Sequence, residues 1–237
     1  MLLPGMDGTG DLFKWFVEAL PADFDTTVVR YPPDVPSSGE QLRDIARQAF
    51  PTTAPFVLIA ESFSTPLAIQ CAALNPTNLK GLVLCAGFAT SPVIGWKRAV
   101  AEPIAQLSLR VTPSALAIKM LLVGWSPPSS LIQAIREAVS TVRSGALIAR
   151  VKLIFRCNAR AELARAKVPI LYLRASQDKV IQSRSMEEIL SIMPKTKVVS
   201  IRGPHLLLQR EPRLSAAAIA KFIQQLENLP DENDHEG

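Results

Sequence analysis

Three side chains in this sequence could together activate a serine as a nucleophile: Ser62, Asp178 and His205. A serine hydroxyl attacks a carbonyl only when a base takes its proton. An imidazole is that base near neutral pH, and a carboxylate holds the ring in the productive tautomer. Each of the three follows an apolar run: Ser62 comes after Phe56–Ala60, Asp178 after Val168–Leu173 and His205 after Lys197–Ile201. Their order along the chain, serine then acid then histidine, is one of the orders in which such triads occur. The only other histidine, His235, lies in an acidic C-terminal stretch.

Taken singly, each position has a plainer alternative. Ser62 could cap a helix, Asp178 could sit in a loop turn beside Lys179, and a lone histidine is commonly structural. Around Ser62 the chain reads Ala60-Glu61-Ser62-Phe63-Ser64. A buried strand must there turn sharply into a helix, which lifts the serine Oγ above the sheet and aims the Phe63 N–H at a developing oxyanion. Close strand–helix crossing requires small residues two before and two after the serine. Ala60 and Ser64 stand where a G-x-S-x-G elbow has glycines.

The elements that must position these groups alternate between apolar strands and amphipathic helices, the pattern of a mainly parallel sheet covered by helices on both faces. The expected strands are Leu2–Leu3, Thr26–Tyr31, Phe56–Ala60, Leu79–Cys85, Val168–Leu173 and Lys197–Ile201, about six in all. Helices are expected over Leu12–Leu20, Ser38–Ala49, Ser64–Ala73, Ser183–Ile192 and Arg213–Leu226, with Pro76 and Pro194 marking two ends. The domain organisation expected is an α/β core over 1–88 and 168–227, a helical cap over 89–167 and a disordered acidic tail over 228–237.

The cap segment has twelve basic against three acidic residues, a net +9 on a chain whose total is +5. Such a surface suits an acidic partner, an acyl-carrier protein or a phospholipid headgroup, or is simply a solvated basic face. Its apolar residues Trp96, Ile104, Leu107, Leu116, Met120, Leu121, Trp125, Leu147, Ile148 and Phe155 either line an acyl pocket or, for most of them, form the cap's own core.

Composition narrows the remaining classes. Hydrophobic residues at 48% and charged residues at 20% supply a core and argue against global disorder. No run approaches the roughly eighteen apolar residues of a membrane span, and no secretory signal is visible. Three cysteines without close pairing point to a reducing, cytoplasmic setting rather than a disulfide framework. Gly5–Gly10 has neither the dinucleotide nor the Walker spacing. No cysteine occupies a strand-to-helix turn. One histidine within the folded sequence is too few for a metal site, so neither cofactor nor metal is expected, and the charge is too weak to argue for nucleic acid.

With these segments in view, the chain resembles the α/β-hydrolase superfamily over nearly its whole length. Leu2-Leu-Pro-Gly-Met-Asp-Gly-Thr-Gly-Asp-Leu-Phe is similar to that family's oxyanion loop, and Gly203-Pro-His-Leu-Leu-Leu-Gln-Arg-Glu-Pro to its histidine segment. The glycine-rich loop and Glu61-Ser-Phe-Ser also resemble an esterase-like branch that includes phytyl ester synthase-type acyltransferases. The resemblance implies that Met6 supplies the second oxyanion N–H. It implies a serine carboxylesterase acting on a small-molecule or lipid ester, with acyl transfer, thioester cleavage or a non-catalytic binding role as alternatives. Two departures stand out: the elbow lacks both glycines, and the chain begins at the family's third strand. The usual leading strands are therefore expected to be missing, through trimming or through an upstream start.

Overall fold

Period-two alternation along the strands sorts the core into two layers. A computed structural model describes residues 1–93, 99, 101–104, 116 and 119–228. On β2 (Phe56–Glu61), Leu58 and Ala60 face one layer and Ile59 the other. On β3 (Leu79–Cys85), Leu82 and Leu84 oppose Val83 and Cys85. On β4 (Ile170–Ala175), Ile170 and Tyr172 oppose Leu171 and Leu173. With β1 (Leu2–Leu3) and β5 (Lys197–Ile201) they form a five-stranded parallel sheet in the order β1-β2-β3-β4-β5.

Helices cover both faces, as a parallel sheet of continuous apolar strands requires. One layer is closed by α2 (Gly39–Gln48), α3 (Thr65–Ala72), α6 (Arg160–Arg165) and α7 (Ser183–Ile192), through Leu42, Leu67, Ile69, Leu163 and Ile189. The other is closed by α1 (Lys14–Ala19), α8 (Leu207–Arg210) and α9 (Pro212–Glu227), through Phe16, Leu207, Ile219 and Phe222. Between β3 and β4 lie α4 (Ser129–Ser140) and α5 (Ser144–Arg156), preceded by a π-helical turn at Lys119–Val123. Leu131, Ile135 and Val123 from these elements pack on Leu12 and on Leu206, the neighbour of His205.

Three expectations need correcting. Among the described residues the sheet has five strands, not about six: Thr26–Tyr31 is reduced to a single parallel bridge between Val28 and Leu2. Its partner β1 is two residues long, and Pro32-Pro33 can donate no ladder hydrogen bond beyond it. Strand β4 begins at Ile170 rather than Val168, because Pro169 has no N–H to give. The helix expected over Leu12–Leu20 opens as a 3-10 turn at Asp11–Phe13 before α1. The short α8 went unread, because Leu206-Leu-Leu offers no periodicity over so few residues.

Among the apolar residues of the 89–167 segment, Leu147 and Phe155 are buried, but Ile104, Leu116, Met120, Leu121 and Trp125 are exposed. Those five therefore join no core among the described residues. Trp96 and Leu107, the basic Lys97, Arg98 and Arg110, and the acidic residues of the tail lie outside the described residues. No helix among the described residues is long and apolar enough to cross a membrane.

Helix α9 approaches β3 at a glycine. A Cβ at Gly81 would lie 2.6 Å from Leu226 Cδ1 and 3.1 Å from Phe222 Cε1. Gly81→Val should therefore destabilise the fold by about 1–3 kcal/mol through overpacking. A lower urea midpoint at unchanged slope is the expected reading.

Candidate active site

All four candidate segments leave the sheet at the carboxyl ends of strands, where open α/β sheets hold their ligands. The turn carrying Met6 follows β1, Ser62 follows β2, the Asp178 loop follows β4 and the His205 loop follows β5. Ser62 opens a 3-10 turn, Ser62–Ser64, that leads directly into α3. Its φ of +49° is in the left-handed region, a conformation that costs a non-glycine residue about 1–3 kcal/mol. Thr65 holds that geometry by donating its hydroxyl to the Ser62 carbonyl at 2.7 Å, while its oxygen accepts from Phe88 N at 3.0 Å.

Ser62 Oγ lies 2.8 Å from His205 Nε2, and His205 Nδ1 lies 2.8 Å from Asp178 Oδ2. Both the imidazole and the carboxylate are 5% exposed. A carboxylate can only accept, so the shared proton sits on Nδ1, and Nε2 is left as acceptor for the serine hydroxyl. Asp178 is aimed by its second oxygen, which accepts from Val180 N at 2.7 Å and Ile181 N at 2.8 Å. Its partners are thus His205 and two amides, not Lys179. The acid and histidine loops are tied together by Ser176 N to Ile201 O and Gln177 N to Gly203 O, each 2.9 Å. Ser62 is not a helix cap, since its hydroxyl is directed to the imidazole.

The Met6 turn is locked over the elbow from several sides. Gly8 N donates to Gly5 O at 3.0 Å, closing a turn with Met6 and Asp7 at its centre. Asp7 Oδ1 accepts from the backbone N of Thr9 at 3.0 Å and from its hydroxyl at 2.5 Å. Ser64, in the place of the elbow's second glycine, donates its hydroxyl to the Pro4 carbonyl and accepts from Tyr31 OH at 2.8 Å. Burial raises the Tyr31 phenol above its ordinary value, so it remains a donor. Phe63, the residue after the serine, is buried edge-on to Tyr31 with ring centroids 6.1 Å apart.

Two groups here carried no sequence signal. Glu61, directly before Ser62, is wholly buried, and burial pushes its carboxyl up to about 8, against the opposing pull of a 3.1 Å hydrogen bond from Gln209 Nε2. Arg150, from α5, is 2% exposed. The other described basic residues between β3 and β4 are exposed, as a solvated face would be. A cavity of about 260 Å³ opens behind Asp178, lined by Arg174, Ser176, Ile181, Gln182, Ser183 and Met186 among others. Neither Ser62 nor His205 lines it, so it does not sit where a scissile bond would.

Known proteins can be set beside this geometry. No family model and no curated protein matches the sequence. Solved structures do match. A thermophilic esterase from Thermogutta terrifontis is 21% identical with a TM-score of 0.76, over 95% of this chain and 89% of that one. An enol-lactonase from Burkholderia xenovorans is 16% identical with a TM-score of 0.76, over 94% and 90%. A hydrolase from Oleispira antarctica is 15% identical with a TM-score of 0.78, over 94% and 89%. The fold is that of the α/β hydrolases.

Proposed function

We propose that this protein is a serine hydrolase of carboxylic esters, with Ser62 as nucleophile, His205 as base and Asp178 as the acid that orients it. The observation that carries this reading is the unbroken chain of two 2.8 Å hydrogen bonds, Ser62–His205–Asp178, with the serine held at positive φ. A fold proves no function, but an esterase and a lactonase on this same fold agree with the reading.

In the reaction, His205 Nε2 takes the Ser62 proton as Oγ adds to the ester carbonyl. The Met6 and Phe63 N–H groups receive the oxyanion, each donor worth roughly 3 kcal/mol in comparable sites. The C–O bond to the alcohol then breaks, and His205 returns the proton to the leaving oxygen. Water attacks the acyl-enzyme with His205 again as base, releasing the carboxylic acid and free Ser62. A cytoplasmic site of action goes with this reading, the Cys71 and Cys85 thiols being buried in the core.

A fluorophosphonate probe tests the assignment. The native protein should gain one phosphonyl adduct on Ser62, and the Ser62→Ala protein none. A native protein that stays unlabelled and inert toward p-nitrophenyl esters would instead be a binding protein on a hydrolase scaffold. Acyl transfer would use the same three residues, so products with and without an added alcohol distinguish it from hydrolysis.

A further inference from the structure

We propose that Arg150 is a positioning residue for the oxyanion turn, tying its Met6 and Asp7 carbonyls to Pro32 so that the turn, and with it Met6 N–H, is held over Ser62. This rests on the reading of Ser62 as nucleophile and Met6 as oxyanion donor.

The argument starts from how a buried cation spends its hydrogen bonds. Taking a guanidinium out of water is costly unless its donors are satisfied. Among the described residues Arg150 has no carboxylate within ion-pair distance. Its Nη1 donates to Met6 O at 3.0 Å and to Asp7 O at 2.5 Å, and its Nη2 donates to Pro32 O at 2.8 Å. Two of those three carbonyls belong to the residues at the centre of the turn. The guanidinium carbon also lies 5.8 Å from the centre of the Tyr31 ring, and Tyr31 reaches Ser64 and through it the Pro4 carbonyl.

In the four-residue turn Gly5–Gly8, the central peptide joins Met6 to Asp7, while Met6 N–H belongs to the preceding, planar Gly5–Met6 peptide. The Gly5 carbonyl is already committed to Gly8 N. That bond sets Met6 N–H within the turn but not where the turn as a whole sits over Ser62. Arg150 sets that position by tying the Met6 and Asp7 carbonyls to the Pro32 carbonyl. Space is made for it at Gly8, where φ is +70° and a Cβ would lie 2.5 Å from Arg150 Nη1. The glycine-rich loop thus serves to admit this side chain. Because Arg150 comes from α5, the helices between β3 and β4 reach the oxyanion site through one residue.

Steady-state hydrolysis of p-nitrophenyl butyrate by the native, Arg150→Lys and Arg150→Met proteins tests the proposal. A displaced oxyanion donor weakens only the transition state, so kcat should fall about 10- to 100-fold with KM within about twofold. Affinity for a trifluoromethyl ketone, which forms the tetrahedral adduct, should fall in parallel with kcat. An Arg150→Ala protein should regain part of its kcat on addition of ethylguanidine. Should the Met and Ala proteins fail to fold by circular dichroism, the Lys variant carries the test, retaining the charge but not the planar fork. Native kcat and native ketone affinity in a folded Lys or Met variant overturn the proposal. A native protein that neither takes the fluorophosphonate nor cleaves esters overturns the nucleophile assignment itself, and this inference falls with it.

Discussion

Asp178→Asn is expected to lower kcat toward p-nitrophenyl esters about 10³- to 10⁴-fold while leaving the fold and KM nearly unchanged, as in comparable triads. The reason lies in the two ends of the side chain. Oδ1 accepts two backbone N–H bonds, from Val180 and Ile181. An asparagine must keep its carbonyl oxygen there, because an amide NH₂ would meet two donors with a third. Its NH₂ therefore turns to His205 Nδ1, which now has to accept. That moves the ring proton to Nε2, the nitrogen facing Ser62 at 2.8 Å, and a protonated Nε2 cannot take the serine proton. Full kcat in a folded Asn variant would remove Asp178 from the proposed mechanism. A loss of stability instead of rate would give it a purely structural role.

How much of this was legible in the sequence depends on what satisfies each group. Strands Leu79–Cys85 and Lys197–Ile201 were readable to the residue, because each is a short β-rich run ended by a glycine or a turn. Thr26–Tyr31 misled because its composition is β-rich while its neighbour offers only two residues to pair with. The approach of Ser62, Asp178 and His205 was foreseeable from their order after three of the expected strands. The elbow lacks both glycines, and the role of Ser64 at the second of those positions was hidden because it was judged by size. Its hydroxyl joins Tyr31 to the Pro4 carbonyl, a contact 60 residues back along the chain for which short motifs have no symbol. Arg150 was one of twelve basic residues in its segment and had no local mark to separate it from the exposed ones. Its acceptors are backbone carbonyls, and every residue has one of those. Buried charge held by main chain is invisible to sequence pattern for that reason.

Glu61→Gln should stabilise the protein increasingly as pH rises from 5 to 8. The Glu61 carboxyl is wholly buried and its value in the fold is about 8, against 4.5 when solvated. Between those values the folded chain keeps a proton that the unfolded chain releases. Stability contributed by this neutral carboxyl is therefore present in full below about pH 4.5, drains away as pH rises and is gone above about 8. The slope is about 1.4 kcal/mol per pH unit, and the total is on the order of 5 kcal/mol. Glutamine is isosteric with the protonated acid and never ionises. Its amide oxygen can accept from Gln209 Nε2 as Glu61 does at 3.1 Å, and its NH₂ gives the unpartnered Gln209 Oε1 a donor. Urea midpoints for the two proteins should nearly coincide at pH 5 and separate by pH 8, the native protein being the weaker. Parallel profiles would mean that Glu61 ionises as readily in the fold as out of it. The same ionisation bears on the site, because a Cβ on Gly5 would lie only 3.6 Å from Glu61 Oε2. A negative charge developing beneath the oxyanion turn opposes the charge that the turn must stabilise. Ester turnover by the native protein should accordingly decline as Glu61 ionises, and that decline should be absent in Glu61→Gln.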